Sequence, residues 1–555
     1  MAGAEVLRGV GVGIGLAVGP VVQMGRPPEL PSSHRVDDGS AEAARARAAL
    51  DAVSADLAAR SLETTDATAS AVLDALSMIA ADPALVEQVE ELIVGGTDAP
   101  HALYAAIEGY REMLTEAGGY LAERAGDLAD IRDRVIAAVL GLPMPGIPDP
   151  GHPFVLVAED LSPADTAGID VGRVLGLVTE RGGATSHTAI LARSLGLPCV
   201  VACAGVLAVA DGTVVAVDAG AGVVEVGIGA VRAAEVVARA AALAAELVGT
   251  AGPGQTADGH RVALLHNIGS AGDLEGVVDN GFEGVGLFRT EFLFLDRDEA
   301  PGFDEQRQAY AAVLRAAAGR KVVVRTLDAG ADKPLPFLGA KSEPNPALGV
   351  RGLRIGRAHP EVVTMQLDAL AAAAGDVPGS EVWVMAPMVA TPDEAAGFAA
   401  QCRAAGLGRT GVMIEIPAAA LLAREILAEV DFLSIGTNDL SQYTFAADRM
   451  EGTLQELLDP WQPALLALIA RCAQAGQAVG KPVGICGEAA ANAELAPVFA
   501  GLGITSLSMA ARAVAPVRWA LARRTLAECE HAAKAALSSA TAASARAAAV
   551  EVTTT

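Results

Sequence analysis

The 555-residue sequence predicts a multidomain α/β protein: a small α/β domain with an inserted helical bundle, followed by a (β/α)8 TIM barrel. Three observations predict it. After His260, eight short apolar runs alternate with helical stretches over about 250 residues, the usual length of a TIM barrel. Residues 40 to 142 are Ala-, Leu- and Glu-rich with a helical period, as in AEAARARAALDAVSADLAAR. Residues 154 to 228 alternate short β-branched runs with helical pieces, the pattern of a smaller α/β domain.

Taken in order, residues 1–22 read as one or two short strands that return to complete the small domain. Their run GVGVGIGLAVGPVV lacks the glycine spacing of a dinucleotide fingerprint. Residues 23–142 form the antiparallel bundle, closed by the Pro/Gly boundary LPMPGIPDPGHP. The α/β domain resumes over 143–228 with FVLVAED, VLGLVTE, PCVVAC, TVVAVD and VVEVG as strands. Residues 229–259 are an uninterrupted helix and then TAGPGQTADG, which reads as a linker. The barrel occupies 260–525, with RVALLHN, EGVGLF, KVVVRTL, EVWVMAPM, GVMIEIP, DFLSIG, PVGICGE and TSLSMA as its strands. The Ala-rich residues 526–555 have no aromatic side chain and are expected to be a frayed helix and disordered tail.

A formal net charge of -27 argues against a nucleic acid or an anionic membrane as partner, since both would be repelled. A basic protein partner remains compatible with it. The six cysteines form no CxxC pair and fit no zinc spacing, so they read as reduced thiols. The N-terminus has no basic start, apolar core and cleavage site, and the longest apolar stretch, Leu195 to Ala210, is too short to span a bilayer. A soluble, cytoplasmic protein is expected.

Four clusters carry chemistry. In GGATSHTAILARSLGLP, two glycines allow a tight turn, Thr185, Ser186 and Thr188 surround His187 with hydroxyls, and a helix begins there. A neutral imidazole at a positive helix end can attack phosphorus, and amides can hold the product dianion. The alternative is a Ser/Thr helix cap with an incidental histidine. Arg289, Arg325 and Arg351 lie in GVGLFRTEFLF, VVVRTLDAGADKP and NPALGVRGLRIG. Their planar forks suit a polyanionic small substrate, against the alternative of surface salt bridges. Glu415 in GVMIEIPAAA and Asp439 in SIGTNDLSQYT follow successive strands, so both carboxylates can face one centre. Two carboxylates with substrate oxygens and water suit Mg²⁺; the alternative is a helix-capping carboxylate. Asn438 and Arg449 are placed to bind a substrate carboxylate. Cys486 in GICGEAA follows the seventh strand, where a thiol can exchange a proton with a bound substrate, against the alternative of a small core residue.

The segments GGATSHTAILARSLGLP, GVGLFRTEFLFLDRD, VVVRTLDAGADKP, SIGTNDLSQYTFAADR and GICGEAA together resemble enzyme I of the sugar phosphotransferase system, the phosphoenolpyruvate–protein phosphotransferases. The resemblance runs in order from about Gly9 to Ala522. It implies phosphorylation of His187 at Nε2, with Thr166 in LSPADTA orienting it. It implies phosphate contacts from Arg289 and Arg325 with Lys333 close to them, a further active-site arginine at Arg351, Mg²⁺ on Glu415 and Asp439, and the phosphoenolpyruvate carboxylate on Asn438 and Arg449. Cys486 falls where the family's proton donor to the enolate lies. The bundle takes the place of the subdomain that binds the carrier protein HPr, with DALSMIAADP as the carrier-binding helix and Met78 exposed to it. A homodimer through the barrel is also implied. Three positions depart from the family pattern: Leu76-Ser77 lacks a histidine before Met78, Ala490-Ala491-Asn492 replaces Ala-Gly-Asp, and Ala510 replaces a serine.

Overall fold

The computed structural model describes residues 5–554 apart from 26–27, 33–35, 37, 64–75, 118–124, 143–144, 149, 162–168, 184–185, 250–251, 279–280, 296, 298, 331–334, 339–342, 344 and 450–451. Its contacts divide the chain into two compact units. One is Met1–Val10, Ala17–Gly182 and Cys199–Val236; the other is Gly11–Leu16, Gly183–Pro198 and Val237–Thr555.

The opening strands β1 (Glu5–Arg8), β2 (Val10–Val12) and β3 (Leu16–Gln23) join five later ones in a single sheet. These are β4 (Phe154–Ala158), β5 (Val174–Thr179), β6 (Cys199–Val201), β7 (Val214–Asp218) and β8 (Val223–Val226), and the order is β1-β8-β7-β3-β4-β5-β6-β2. The first strands therefore return as expected: β3 runs parallel to β4 with Val21 opposite Val155. Val155, Val157, Val178, Val200, Val217 and Val224 are part of its apolar core.

The bundle leaves the sheet after β3 and re-enters at the neighbouring β4. Its helices are α1 (Gly39–Glu63), α2 (Pro83–Val94), α3 (Ala99–Ala117) and α4 (Ala125–Leu140). In α1 the buried residues Ala46, Ala49, Leu50, Val53 and Leu57 repeat at three- and four-residue steps, one stripe of a helix. Leu85, Val89 and Ile93 of α2 and Ile131 and Val135 of α4 face the same core. Asp82 starts α2 by accepting the Ala84 N–H at 2.9 Å, and Pro83 follows where a missing N–H costs nothing.

The second unit holds α5 (His187–Leu195), most of α6 (Ala230–Gly249) and a closed parallel barrel. The barrel strands are β9 (Ala263–Ile268), β10 (Gly284–Arg289), β11 (Lys321–Arg325), β12 (Glu381–Ala386), β13 (Thr410–Ile414), β14 (Phe432–Ile435), β15 (Val483–Ile485) and β16 (Ser506–Met509). Every strand lies within or overlaps one of the eight apolar runs. β16 closes the ring on β9, with Met509 opposite His266. Leu287, Val323, Met385, Met413, Phe432 and Cys486 fill the lumen as one cluster.

Two segments differ from expectation. TAGPGQTADG is not a free linker over its second half: Gln255 bridges Arg261, Thr256 is buried, and the Gly254 N–H donates to Glu283 at 2.7 Å. Its Asp-Gly turn is held by the Asp258 carboxylate, which accepts the Thr256 hydroxyl at 2.5 Å and the Leu526 N–H at 3.0 Å. The Ala-rich end is not a disordered tail either. It forms helices Leu526–Leu537 and Ala542–Thr554, the first opened by a Thr525–Glu528 capping box. Cys529, Ala532, Ala533, Ala536, Ala545 and Ala549 are buried in the barrel's outer core. Alanine lets helices approach closely, so these pack without the large apolar side chains that usually announce a core helix.

Candidate active site

His187 is the first residue of α5. Before it, Gly182 takes φ +90°, the left-handed conformation that the tight turn needs. Ser186 is buried, and its hydroxyl accepts the Ala189 N–H at 3.3 Å, which caps the helix. So the histidine backbone lies in the first turn, at the positive end of α5. Its side chain, and all of Thr166, Thr185 and Lys333, lie outside the described residues.

The remaining expected residues gather at the C-terminal ends of the barrel strands, where barrel enzymes place their loops. Arg325 ends β11 and is buried. Its guanidinium reaches Glu291 at 2.5 Å and Asp328 at 3.0 Å. Arg351 comes from the long loop between β11 and β12, held there by a bridge to Gly330. It is only 2 % exposed and lies between two carboxylates. Nε and Nη2 face Asp328 at 3.3 and 3.4 Å, while Nη1 and Nη2 face Asp439 at 3.2 and 3.3 Å. Burial removes the surface salt-bridge alternative for both arginines. Arg289 stands exposed at the end of β10. Arg449 lies 3.7 Å from Asp439, and its backbone N–H donates to Gln442 at 3.0 Å.

Asp439 lies in the first turn of helix Thr437–Phe445. Neighbouring Asn438 exchanges two hydrogen bonds with Glu488, each 3.1 Å. Glu415 follows β13 and accepts the Met388 N–H at 2.9 Å. Met388 has φ +57°, a strained conformation for a non-glycine residue and one often found beside active sites. Gly436 makes room for the Glu415 carboxyl: a Cβ there would meet its Cγ at 2.8 Å and Oε1 at 2.9 Å. Burial, then Asp328 and Asp439, push the Glu415 carboxyl up to about 8. Among the described residues, Glu291, Asp328, Glu415 and Asp439 are buried, four carboxylates to the two buried guanidiniums of Arg325 and Arg351, with the partly exposed Arg449 3.7 Å from Asp439. That surplus, with Glu415 paired to no arginine within bonding distance in the described structure, fits a hard divalent cation bound through oxygen. Among the described residues no three acidic, histidine or cysteine side chains converge as a ready-made cage, so other ligands must complete such a site.

Cys486 follows β15, with its thiol 3.6 Å from the Ile435 carbonyl. Burial pushes it up to about 11, so it keeps its proton at neutral pH. Beneath it Asn267 donates to the Cys486 carbonyl at 3.1 Å and accepts from Ser508 at 2.6 Å. Asp328, Glu291 and Met388 were not anticipated from sequence. Asp328 and Glu291 do lie within three residues of the chosen arginines, and each arginine buried near a strand end needs such a carboxylate.

Among the described residues, no helix is long and apolar enough to cross a membrane. Three family models match in succession: the PEP-utilising enzyme N-terminal domain over residues 8–124, the mobile domain over 150–222 and the PEP-binding domain over 245–526. This chain therefore has the domain set of a PEP-utilising enzyme. The phosphoenolpyruvate-protein phosphotransferase of Streptomyces coelicolor is 53% identical, covering 98% of this chain and 99% of that protein. That of Haloferax volcanii is 40% identical over 83% of each, and that of Bacillus subtilis is 36% identical over 94% and 95%. The chain belongs to the phosphoenolpyruvate–protein phosphotransferase family.

Proposed function

We propose that this chain moves the phosphoryl group of phosphoenolpyruvate onto His187 and then onto a histidine of the carrier protein HPr, the first step of a sugar phosphotransferase system. The buried surplus of carboxylates around two arginines at the barrel's C-terminal end is the observation that carries the barrel half of this reading. Arg289, Arg325, Arg351 and Lys333 would hold the phosphate, and Asn438 and Arg449 the carboxylate. Glu415 and Asp439 would hold Mg²⁺, which supplies charge neutralisation on the phosphate when bound. His187, oriented by Thr166, attacks phosphorus in line, and the P–O bond to the enolate breaks. Cys486 holds a proton on Sγ and delivers it to the enolate carbon, giving pyruvate. The bundle, with Met78 68% exposed, would receive HPr. Ser77, one of the departures, exchanges hydrogen bonds with Ser54 on α1, so it anchors this segment instead of facing a partner. A homodimer formed through the barrel and a cytoplasmic location complete the reading.

The test is incubation with labelled phosphoenolpyruvate and Mg²⁺, with and without HPr, followed by peptide mapping. Label should sit on the His187 peptide and pass to HPr when it is present. Label on any other residue removes His187 from the mechanism.

A further inference from the structure

Gln366 is 1 % exposed, a polar side chain on helix Pro360–Asp376, one of those that surround the barrel. Both of its amide hydrogens and its oxygen are used. Nε2 donates to the Thr290 hydroxyl at 3.0 Å and to the Tyr310 hydroxyl at 3.1 Å, and Oε1 accepts the Leu327 N–H at 2.9 Å. The Thr290 hydroxyl in turn donates to the Arg325 carbonyl at 2.8 Å. These bonds close a ring through Thr290, Gln366 and the backbone from Arg325 to Leu327. Chemistry fixes the direction of each bond. Tyr310 donates its proton to Gln306 at 3.0 Å and so accepts from Gln366, and a flipped amide would set its NH₂ against the Leu327 N–H. The ring stands at the phosphate end of the barrel. Arg289 and Arg325 face each other as the last pair of the β10–β11 ladder. Just beyond it, Thr290 separates Arg289 from Glu291, and Leu327 adjoins Asp328. Glu291 and Asp328 are the carboxylates that hold the Arg325 guanidinium, at 2.5 and 3.0 Å. A residue needed only to fill this space would be apolar, since burying an amide is unfavourable until its bonds are made.

We propose that Gln366 is a positioning residue for phosphoryl transfer, which acts through Thr290 and the Leu327 N–H to fix the separation of Arg289 and Arg325. The proposal rests on the reading of those two arginines as phosphate contacts. Strand pairing stops at the arginines themselves, so the backbone that aims them is locked by side chains. The transition state spreads charge over the phosphoryl oxygens, and donors help most when they already stand where that charge develops. A clamp one residue beyond each arginine supplies that. Substrate can still be bound by two loosely spaced guanidiniums, because binding tolerates adjustment. The transfer step does not, since a displacement of about 1 Å can cost on the order of a hundredfold in rate.

Phosphorylation of the full-length protein by labelled phosphoenolpyruvate and Mg²⁺ is followed in a single turnover by rapid quench, over a range of phosphoenolpyruvate concentrations. Melting temperature is recorded for each variant. Gln366→Leu should lower the maximal rate roughly ten- to a hundredfold, with the half-saturating concentration changed far less. Thr290→Val, which removes the hydroxyl at constant shape, should do the same, and Thr290→Ser, which restores it, should recover most of the rate. The double variant Gln366→Leu with Thr290→Val should be no slower than the slower single, because the two side chains act as one clamp. An unchanged maximal rate in Gln366→Leu, whatever its melting temperature, reduces Gln366 to a structural residue and overturns the proposal. Equal losses in Thr290→Val and Thr290→Ser, or losses that multiply in the double variant, overturn it as well. Arg325→Gln is the control on the underlying reading: wild-type phosphorylation there sinks the phosphate contact itself, whereas a large loss there with normal Gln366→Leu sinks the clamp alone. If Gln366→Leu does not fold, the Thr290→Val and Thr290→Ser pair decides.

Discussion

At the scale of single residues, burial makes two groups hold their protons above their ordinary range. Cys486 is held up to about 11 chiefly by burial, so it should alkylate slowly near neutrality. Its iodoacetamide reaction rate should still be climbing toward pH 11; a rate that levels near the ordinary thiol value of about 8.5 argues against a buried, proton-retaining Cys486. Cys486→Ser should slow pyruvate formation by roughly 10²- to 10⁴-fold, the usual range for a positioned acid, without losing phosphoenolpyruvate binding or exchange between phospho-HPr and His187. Normal turnover with a lowered melting temperature would sink the acid role. Glu415 is the second group. Its folded carboxyl binds a proton more tightly than its unfolded one, so its stabilising contribution is complete below the ordinary carboxylate range and is lost as pH rises through about 8. Metal-free protein should therefore melt lower at pH 8.5 than at pH 6, and Glu415→Gln should flatten that slope; equal slopes contradict it. These groups were legible in the sequence because each follows an apolar run directly. Asp328 and Glu291 were not, since a carboxylate near an arginine looks the same whether buried or solvated. Nothing in the letters around Met388 shows its positive φ.

At the scale of elements, strand legibility followed from β-branched runs such as KVVVR, which stay apolar on both faces because β11 is covered on both. The terminal helices were illegible for the reverse reason. Their interface is built from alanine, and a count of aromatic and large apolar residues sees nothing there. One departure from the family pattern has its effect at this scale. Ala510 is the N-cap of helix Ala511–Ala522, with extended backbone and no side-chain cap hydrogen bond. Ala510→Ser supplies the missing acceptor and should stabilise the protein by about 1 kcal/mol in denaturant unfolding. A variant no more stable than wild type would show that this helix start is satisfied otherwise. Asn492, by contrast, already accepts the Glu494 and Leu495 N–H groups at 3.0 and 3.3 Å, so that departure leaves its turn intact.

At the scale of the whole molecule, residues 1 to about 230 contain the eight described strands of the sheet and the described bundle helices. Made alone, they should accept phosphate from phospho-HPr but not from phosphoenolpyruvate, since the arginines and carboxylates of the barrel are missing. Labelling of this fragment by phosphoenolpyruvate would overturn the division of labour. The barrel closes late in the chain. β9 completes its ring only by pairing with β16, Ala263 against Ser506, far along the chain. On a ribosome adding roughly 5–20 residues per second, β9 must wait on the order of 10–50 s for that partner. Through that interval Leu264 and Leu265 have no finished wall to lie against, while the sheet and bundle encoded before them can already be folded. Nascent-chain protection during this window, rather than the stability of the finished ring, would then set how much of the synthesised protein matures.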